Sequence, residues 1–264
     1  MFICVPIIKL LTMKKINYFL SILTLSILAT SCSNSVSDDF DNMNQDVAEK
    51  RLNKISSNLN GEDISVGFSY DSDKKLTGIT GVSRDETNSI QYTNTGDLLN
   101  VSAQGLNETL NLEELFQSPF NAYELGQVVS YNDYRNPSQI SFEDQVYNYN
   151  TGQYETIGLT AEILYDDAPN MYFYTLKAAG IIDVLDKVQL DFSMNAQASE
   201  IIKASQLLPM NNPVKFIYKN QNGGVEATID ISYTYDQDNY PINAIAVLNA
   251  GSSSETAAVN FSYE

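Results

Sequence analysis

The sequence contains no histidine and no tryptophan, and only two cysteines, Cys4 and Cys32. The absence of histidine excludes Ser-His-Asp and Cys-His catalysis and every His-ligated metal site. With both cysteines in the first 32 residues, the remainder of the chain has no disulfide to form, and a core of this size needs none. Basic residues are also scarce, 15 against 33 acidic ones, for a net charge of −18. So acidic a surface argues against nucleic acid and against docking on anionic lipid head groups, since both require Lys and Arg.

Long apolar runs are confined to the N-terminus. In "MKKINYFLSILTLSILATSCSNS", which begins at Met13, Lys14 and Lys15 precede an apolar segment, Ile16–Leu28, and the small residues Ala29, Thr30 and Ser31 lead to Cys32. A membrane-spanning helix needs about 17–25 apolar residues, so the segment is short for a span and suited to a signal peptide. Residues 1–31 are therefore read as the signal, with Met13 as the start. The small residues before Cys32 resemble a bacterial lipobox, although Ala29 stands where Leu is usual. The resemblance implies acylation of Cys32 and attachment to the membrane through lipid. Removal of residues 1–31 leaves 12 basic and 33 acidic residues, net −21.

The stretch "SNSVSDDFDNMNQD" is polar and acidic. It predicts a flexible tether over 32–50, followed by a single domain over 51–264. Asp38 and Asp39 resemble the acidic residues that follow the lipidated Cys in surface-displayed lipoproteins of the Bacteroidota.

One pattern recurs through that domain. Tyr70, Tyr92, Tyr131, Tyr165 and Tyr235 are followed by Asp71, Thr93, Asn132, Asp166 and Asp236, and six residues on by Leu76, Leu98, Pro137, Met171 and Pro241. Upstream the chain alternates at period two. Ile64, Val66, Phe68 and Tyr70 fall on one face; Ile229, Ile231, Tyr233 and Tyr235 fall on another, with Thr228, Asp230, Ser232 and Thr234 opposite. Each unit reads as a strand, a polar turn and a returning strand. Position four after the Tyr is Gly96 or Asn239 in two units, residues that accept a left-handed backbone, and Lys74 or Arg135 in two others, which accept it less readily. The residues after Tyr165 have helical spacing. Asn60-Gly61, Thr151-Gly152 and Gly223-Gly224 mark further hairpins, and Val259, Phe261 and Tyr263 a last strand.

The fold expected is all-β: an antiparallel meander curled into a barrel-like sheet. A small helical insert around 170–208 interrupts it, carried by Asn170–Leu190 and Ala198–Pro209 and able to cover an open sheet end. "NLEELF" adds a short turn over Asn111–Phe116.

Two resemblances attach to these residues. "YTNTGDLLNV", with Tyr92, Gly96 and Leu98, resembles a YD repeat. "GFSYDSDKKLTGI", "LKAAGIIDVLDKVQLDFS", "LLPMNNPVKFIYKN" and "ISYTYDQDNYPINAI", in that order, resemble a Bacteroidota lipoprotein family of unknown function with a porin-like fold. This implies a barrel-like body behind a lipid anchor and brings no catalytic residues. The polar row at Thr228, Asp230, Ser232 and Thr234 is unlike a lipid-facing strand, so the barrel is expected to hang from the membrane rather than cross it.

Candidate chemistry is sparse. Asp71 and Asp73, and Asp236, Asp238 and Asn239, place carboxylates at alternate positions as calcium loops do, but neither completes such a loop, and solvated turns account for both. No cofactor and no metal ligands are indicated. Paired carboxylates cleave glycosidic bonds, yet no spacing singles a pair out. Among 17 tyrosines, most fit sheet packing. Tyr147, Tyr149 and Tyr154 flank one hairpin and are the candidate ligand-binding residues. The function expected is that of a non-catalytic envelope lipoprotein at the outer membrane that binds a ligand such as a glycan, or an envelope protein. The alternatives are a structural or assembly role in an outer-membrane complex, and a carboxylate-based glycoside hydrolase.

Overall fold

The structure, a computed structural model, describes residues 35–45, 47–59, 62–83, 86–95, 98–103, 110–111, 120–121, 126–149, 151–192 and 201–264. The predicted signal, Cys32 and the segment 112–116 lie outside them. Val36–Glu264 forms one compact unit.

Its body is an antiparallel sheet. The first half runs β1 (Leu52–Leu59), β2 (Glu62–Tyr70), β3 (Leu76–Ser83), β4 (Glu86–Thr95), β5 (Leu98–Ala103) and β6 (Leu110–Asn111). The second half comprises β8 (Gln127–Tyr131), β9 (Pro137–Asn148), β10 (Gln153–Pro169), β13 (Asn211–Asn220), β14 (Val225–Tyr235), β15 (Pro241–Ala250) and β16 (Ser253–Tyr263). The spatial order is β6-β5-β4-β3-β2-β1-β16-β15-β14-β13-β10-β9-β8. The last strand thus pairs with the first, Ile55 opposite Phe261, and joins the two meanders into one sheet. The sheet curls without closing: β6 and β8 are its two edges among the described residues. This is the expected barrel-like all-β fold.

The recurring tyrosine unit is a five-residue loop with one geometry. In the β2–β3 connection, Asp71 N–H donates to Lys75 O and Lys74 N–H donates to Asp71 O, while the Asp71 carboxylate accepts from the N–H groups of Asp73 and Lys75. Asn132 does the same for Tyr134 and Asn136, and Asp236 for Asp238 and Tyr240. Asn220, which no tyrosine precedes, serves Asn222 and Gly224. The fourth residue is left-handed in every case: Lys74 at φ 61, Arg135 at 61, Asn239 at 62 and Gly223 at 79. The loop geometry therefore overrides the side-chain preference at Lys74 and Arg135. Each tyrosine pairs with the residue six later, Tyr70 with Leu76, Tyr131 with Pro137 and Tyr235 with Pro241, beside a bulge.

Two units depart from this plan. Tyr92 pairs nine residues on, with Val101, because Thr95 pairs with Leu98 across a two-residue connection. Tyr165 opens no hairpin; its strand continues to Pro169 and pairs with β13.

Between β10 and β13 lies the insert: α2 (Phe173–Ala178), α3 (Ile181–Lys187), β11 (Gln189–Asp191), β12 (Ile201–Lys203) and a 3-10 turn, Ala204–Leu207. β11 pairs with β12 and, in parallel, with β7 (Phe120–Asn121). The helix expected over Ala198–Pro209 is, from Ile201 on, a strand and a single turn. Here the β-branched Ile201 and Ile202 pair with Asp191 and Leu190, and tertiary pairing wins over helical spacing.

The tether expectation is corrected over Val36–Asn44, which forms a helix, α1. Its few apolar residues sit one turn apart. Val36 and Phe40 are buried in a cluster with Phe173, Tyr174, Ile182, Met210 and Tyr240. Phe40 stacks on Phe173 with ring centroids 3.6 Å apart. The Val36 N–H donates to Asp186, Asn44 Nδ2 donates to Met210 O, and Asp39 pairs with Arg135. The acidic character of the segment hid an amphipathic helix whose polar face is also engaged.

Candidate functional site

α1, α2 and α3 gather at the end of the sheet where the tyrosine loops lie. Met171, at the start of the insert, packs with Leu52, Ala244 and Phe261 and against Ile55, Phe68, Ile231 and Tyr233. This contact identifies the inner face. The cross-strand register carries it across the sheet: Ile55 opposite Val66, Phe68 opposite Ile79, Ile231 opposite Ala246, Ala246 opposite Ala257, Ile229 opposite Phe216, Phe216 opposite Ile163, and Ala161 opposite Ile140. These positions form an apolar path across the face, with Ser57 and Glu255 on the same face beside it. The opposite face carries Thr228, Asp230, Ser232 and Thr234, as predicted, with the ion pairs Lys215–Asp230 and Lys219–Glu162.

Burial along this face follows a gradient. Near the helices Leu52 is fully buried, Leu76, Ala244 and Phe261 are buried, and Ile55, Phe68, Ile231 and Tyr233 are partly buried around Met171. Away from them Ile64, Val66, Ile229, Phe216, Tyr218 and Ala257 are only half-buried. Leu248, farther still, is 36% exposed. The helices therefore plug one end of the curled sheet, and the apolar wall beyond the plug keeps contact with solvent.

The plugged end is latched by phenols. Tyr70 donates to the carbonyl of Leu52, Tyr165 to Pro137, Tyr233 to Pro213, and Tyr263 to Pro241, at 2.7–3.1 Å. In each case the acceptor lies near the start of the neighbouring strand. Burial pushes all four phenols up from their usual value, which keeps them neutral and donating. Tyr240 donates to Ala48 O. Asp166 is a half-buried carboxylate whose pKa is pushed up. Burial is the cause, opposed by hydrogen bonds from Tyr235 and from the backbone of Asn212 and Ala168. With its acceptor sites so occupied, Asp166 acts as a brace between β10, β13 and β14.

A set of buried asparagines completes the plug. Asn136 Oδ1 accepts from the N–H groups of Met210 and Asn211, and its Nδ2 donates to Asn211 Oδ1. Asn211 and Asn212 donate to Ala168 O and Pro169 O, and Asn212 Oδ1 accepts from Met171 N–H. Sequence reasoning missed this network; "NNP" at 211–213 was its only trace.

The candidate ligand-binding residues Tyr147, Tyr149 and Tyr154 stand at the opposite end, at the tip of the β9–β10 hairpin. Tyr147 and Tyr154 are cross-strand partners. Tyr147 meets Tyr149 at 5.1 Å and Tyr154 at 5.2 Å between centroids, with the rings turned 84° and 67°. Tyr149 is 90% exposed and Tyr154 69%. Tyr131 is exposed on the edge strand β8, where nothing among the described residues pairs beyond it. The carboxylates of Asp71 and Asp236 accept from their own loops, and Lys50 holds Asp236 and Asp238 at 2.6 Å each.

No protein-family model and no curated protein matches the chain. Several solved structures are similar to it. A porin-like protein from Bacteroides uniformis is similar at a TM-score of 0.41 and 12% identity, over 83% of this chain and 99% of that one. A porin-like protein from Bacteroides vulgatus is similar at 0.36 and 12%, over 82% and 99%. A LolA superfamily protein from Nitrosomonas europaea is similar at 0.26 and 9%, over 86% and 90%.

Proposed function

We propose that this chain is a non-catalytic protein of the cell envelope, anchored at the outer membrane through lipid on Cys32, that holds an apolar ligand against the inner face of its curled sheet. The observation that carries the reading is the burial gradient. A wall of Ile64, Val66, Ile229, Phe216 and Tyr218 is apolar and yet left half-exposed beyond the plug. Each such side chain gains about 25 cal/mol per Å² when water is displaced from it, so an apolar guest is favoured there. The absence of histidine and the engagement of Asp166 in bracing support a binding role over chemistry.

Titration of the full chain with a fluorescent fatty acid tests the ligand. Saturable binding is expected, with a loss of tenfold or more in Ile229→Asp and little change in Thr228→Asp on the outer face. No saturable binding, or equal losses in both variants, would remove the reading. Incorporation of labelled palmitate, abolished by Cys32→Ser, tests the anchor independently. A stable protein neighbour on crosslinking in cells, with no apolar ligand, would favour an assembly role instead.

A further inference from the structure

The β9–β10 hairpin is longer than the sheet that supports it. β13 joins β10 only from Leu159 opposite Asn220, and β8 joins β9 only as far as Ser141 opposite Gln127. Beyond these the ladder continues alone, from Gly158 opposite Glu143 to Gln153 opposite Asn148. Among the described residues this is a two-stranded arm. Isolated two-stranded hairpins are marginal, so an arm of this length with its largest side chains at the tip calls for an explanation.

Packing explains only part of the tip. The Tyr147–Tyr154 pair lies directly across the ladder and braces the arm. Tyr149 contributes little to that. The residue is 90% exposed and meets Tyr147 edge-on. The register puts Tyr147 and Tyr154 on the face of the ribbon that continues into Thr160 and Glu162, the outer face, away from the apolar wall.

Charge narrows the partner. No Lys or Arg occurs between Arg135 and Lys177, while the arm carries Glu143, Asp144 and Glu155. Uronic acids, sialic acids, phosphates and anionic head groups are repelled by this set. Docking on an anionic membrane surface would need basic residues, which the arm lacks. A protein interface buries about 800 Å² per partner. Three tyrosines of roughly 150–250 Å² each, partly covered by one another, fall short of that. A pyranose fits better, because its C–H face stacks on an exposed aromatic ring. Rings turned by 67° and 84° cannot form one flat strip, so they suit a single twisting chain rather than a crystalline polymer surface.

We infer that Tyr149, with Tyr147 and Tyr154, forms a binding site for a soluble glycan chain that is uncharged or carries amino groups. The site is separate from the apolar wall and does not depend on it. The full chain is presented to an array of neutral, amino-bearing and uronic-acid-bearing oligosaccharides, and positives are titrated by calorimetry. Binding within the first two classes is expected. Tyr149→Ala weakens it tenfold or more with an unchanged melting temperature, Tyr149→Phe retains it, and Ile229→Asp leaves it unaffected. A blank array, a preference for the uronic-acid class, or binding that survives Tyr149→Ala together with Tyr154→Ala overturns the inference. So does binding to neutral phosphatidylcholine vesicles in place of sugar.

Discussion

Tyr263 on the last strand donates its phenolic hydrogen to the carbonyl of Pro241, 2.7 Å away, at the start of the neighbouring strand. Pro241 offers no N–H, and the β14–β15 ladder is bulged just where it begins. A bulge disrupts the ladder locally, and the phenol adds a hydrogen bond to the strand at that point. Tyr233 to Pro213 and Tyr165 to Pro137 repeat the arrangement. Tyr263→Phe keeps the ring and removes the bond. It is expected to lower stability by about 1 kcal/mol, read as a lower urea midpoint with an unchanged slope. Tyr149→Phe, on the exposed tip, should leave the midpoint where it is.

The loops make an opposite prediction, a stabilising one. Lys74 sits at φ 61 because its loop requires a left-handed residue there, a conformation that costs a residue with a Cβ about 1–2 kcal/mol. Its side chain is exposed. Lys74→Gly relieves the strain and returns part of the gain as unfolded-state entropy, so a net rise of roughly 0.5–1 kcal/mol is expected. Lys74→Val should lower stability. Thermal melts of the two variants, moving in opposite directions, check the assignment.

The same loops show how far the sequence can be read. Tyr70, Tyr131 and Tyr235 reveal their hairpins because each is followed by Asp or Asn, whose side chain caps the turn in cis; that chemistry is local. Alternation at Ile229–Tyr235 likewise gives the correct faces, because a strand's period is a property of its own backbone. Tyr92 and Tyr165 carry the same spacing to different ends: β4 runs on past Tyr92 until Thr95 pairs with Leu98, and β10 runs on past Tyr165 to pair with β13, a partner distant in sequence. Helix α1 was illegible for a related reason. Its apolar content is slight, and it is stable only because Phe173 and Arg135 wait elsewhere in the chain. The tip tyrosines were legible as flanking one hairpin, whereas the half-exposed wall was not legible, because degree of burial belongs to the assembled sheet.

Phe40 provides the test of that helix. It is fully buried against Phe173 and Tyr174, and truncation of a buried Phe costs about 3–5 kcal/mol. Phe40→Ala should therefore destabilise the whole unit, visible in denaturant unfolding. A chain beginning at Arg51 should melt well below one beginning at Ser35. A flexible tether would give neither effect.

Lys50 connects the segment after α1 to the β14–β15 loop, through Asp236 and Asp238 at 2.6 Å each. Burial tends to raise the Asp236 pKa, but the bond from Lys50 and the backbone donors prevail and hold it below the ordinary 3.8. Burial likewise works to lower the Lys50 pKa, and the two carboxylates prevail and lift it above 10.5. A lowered carboxylate contributes stability that is present above its unfolded pKa and lost as pH falls through the folded one. A raised lysine contributes stability that is present below its unfolded pKa and lost as pH climbs through the folded one. The contribution should therefore be full between about pH 4 and about pH 10 and fade on both sides. With both partners partly exposed, it is expected to be about 1 kcal/mol. Lys50→Met should show that deficit across the plateau in urea unfolding at stepped pH, with the two curves converging in strong acid. A deficit that persists below the pH at which Asp236 is protonated would mean that Lys50, whose Nζ lies 5.7 Å from the centroid of the Tyr240 ring, contributes through that ring rather than through the carboxylates.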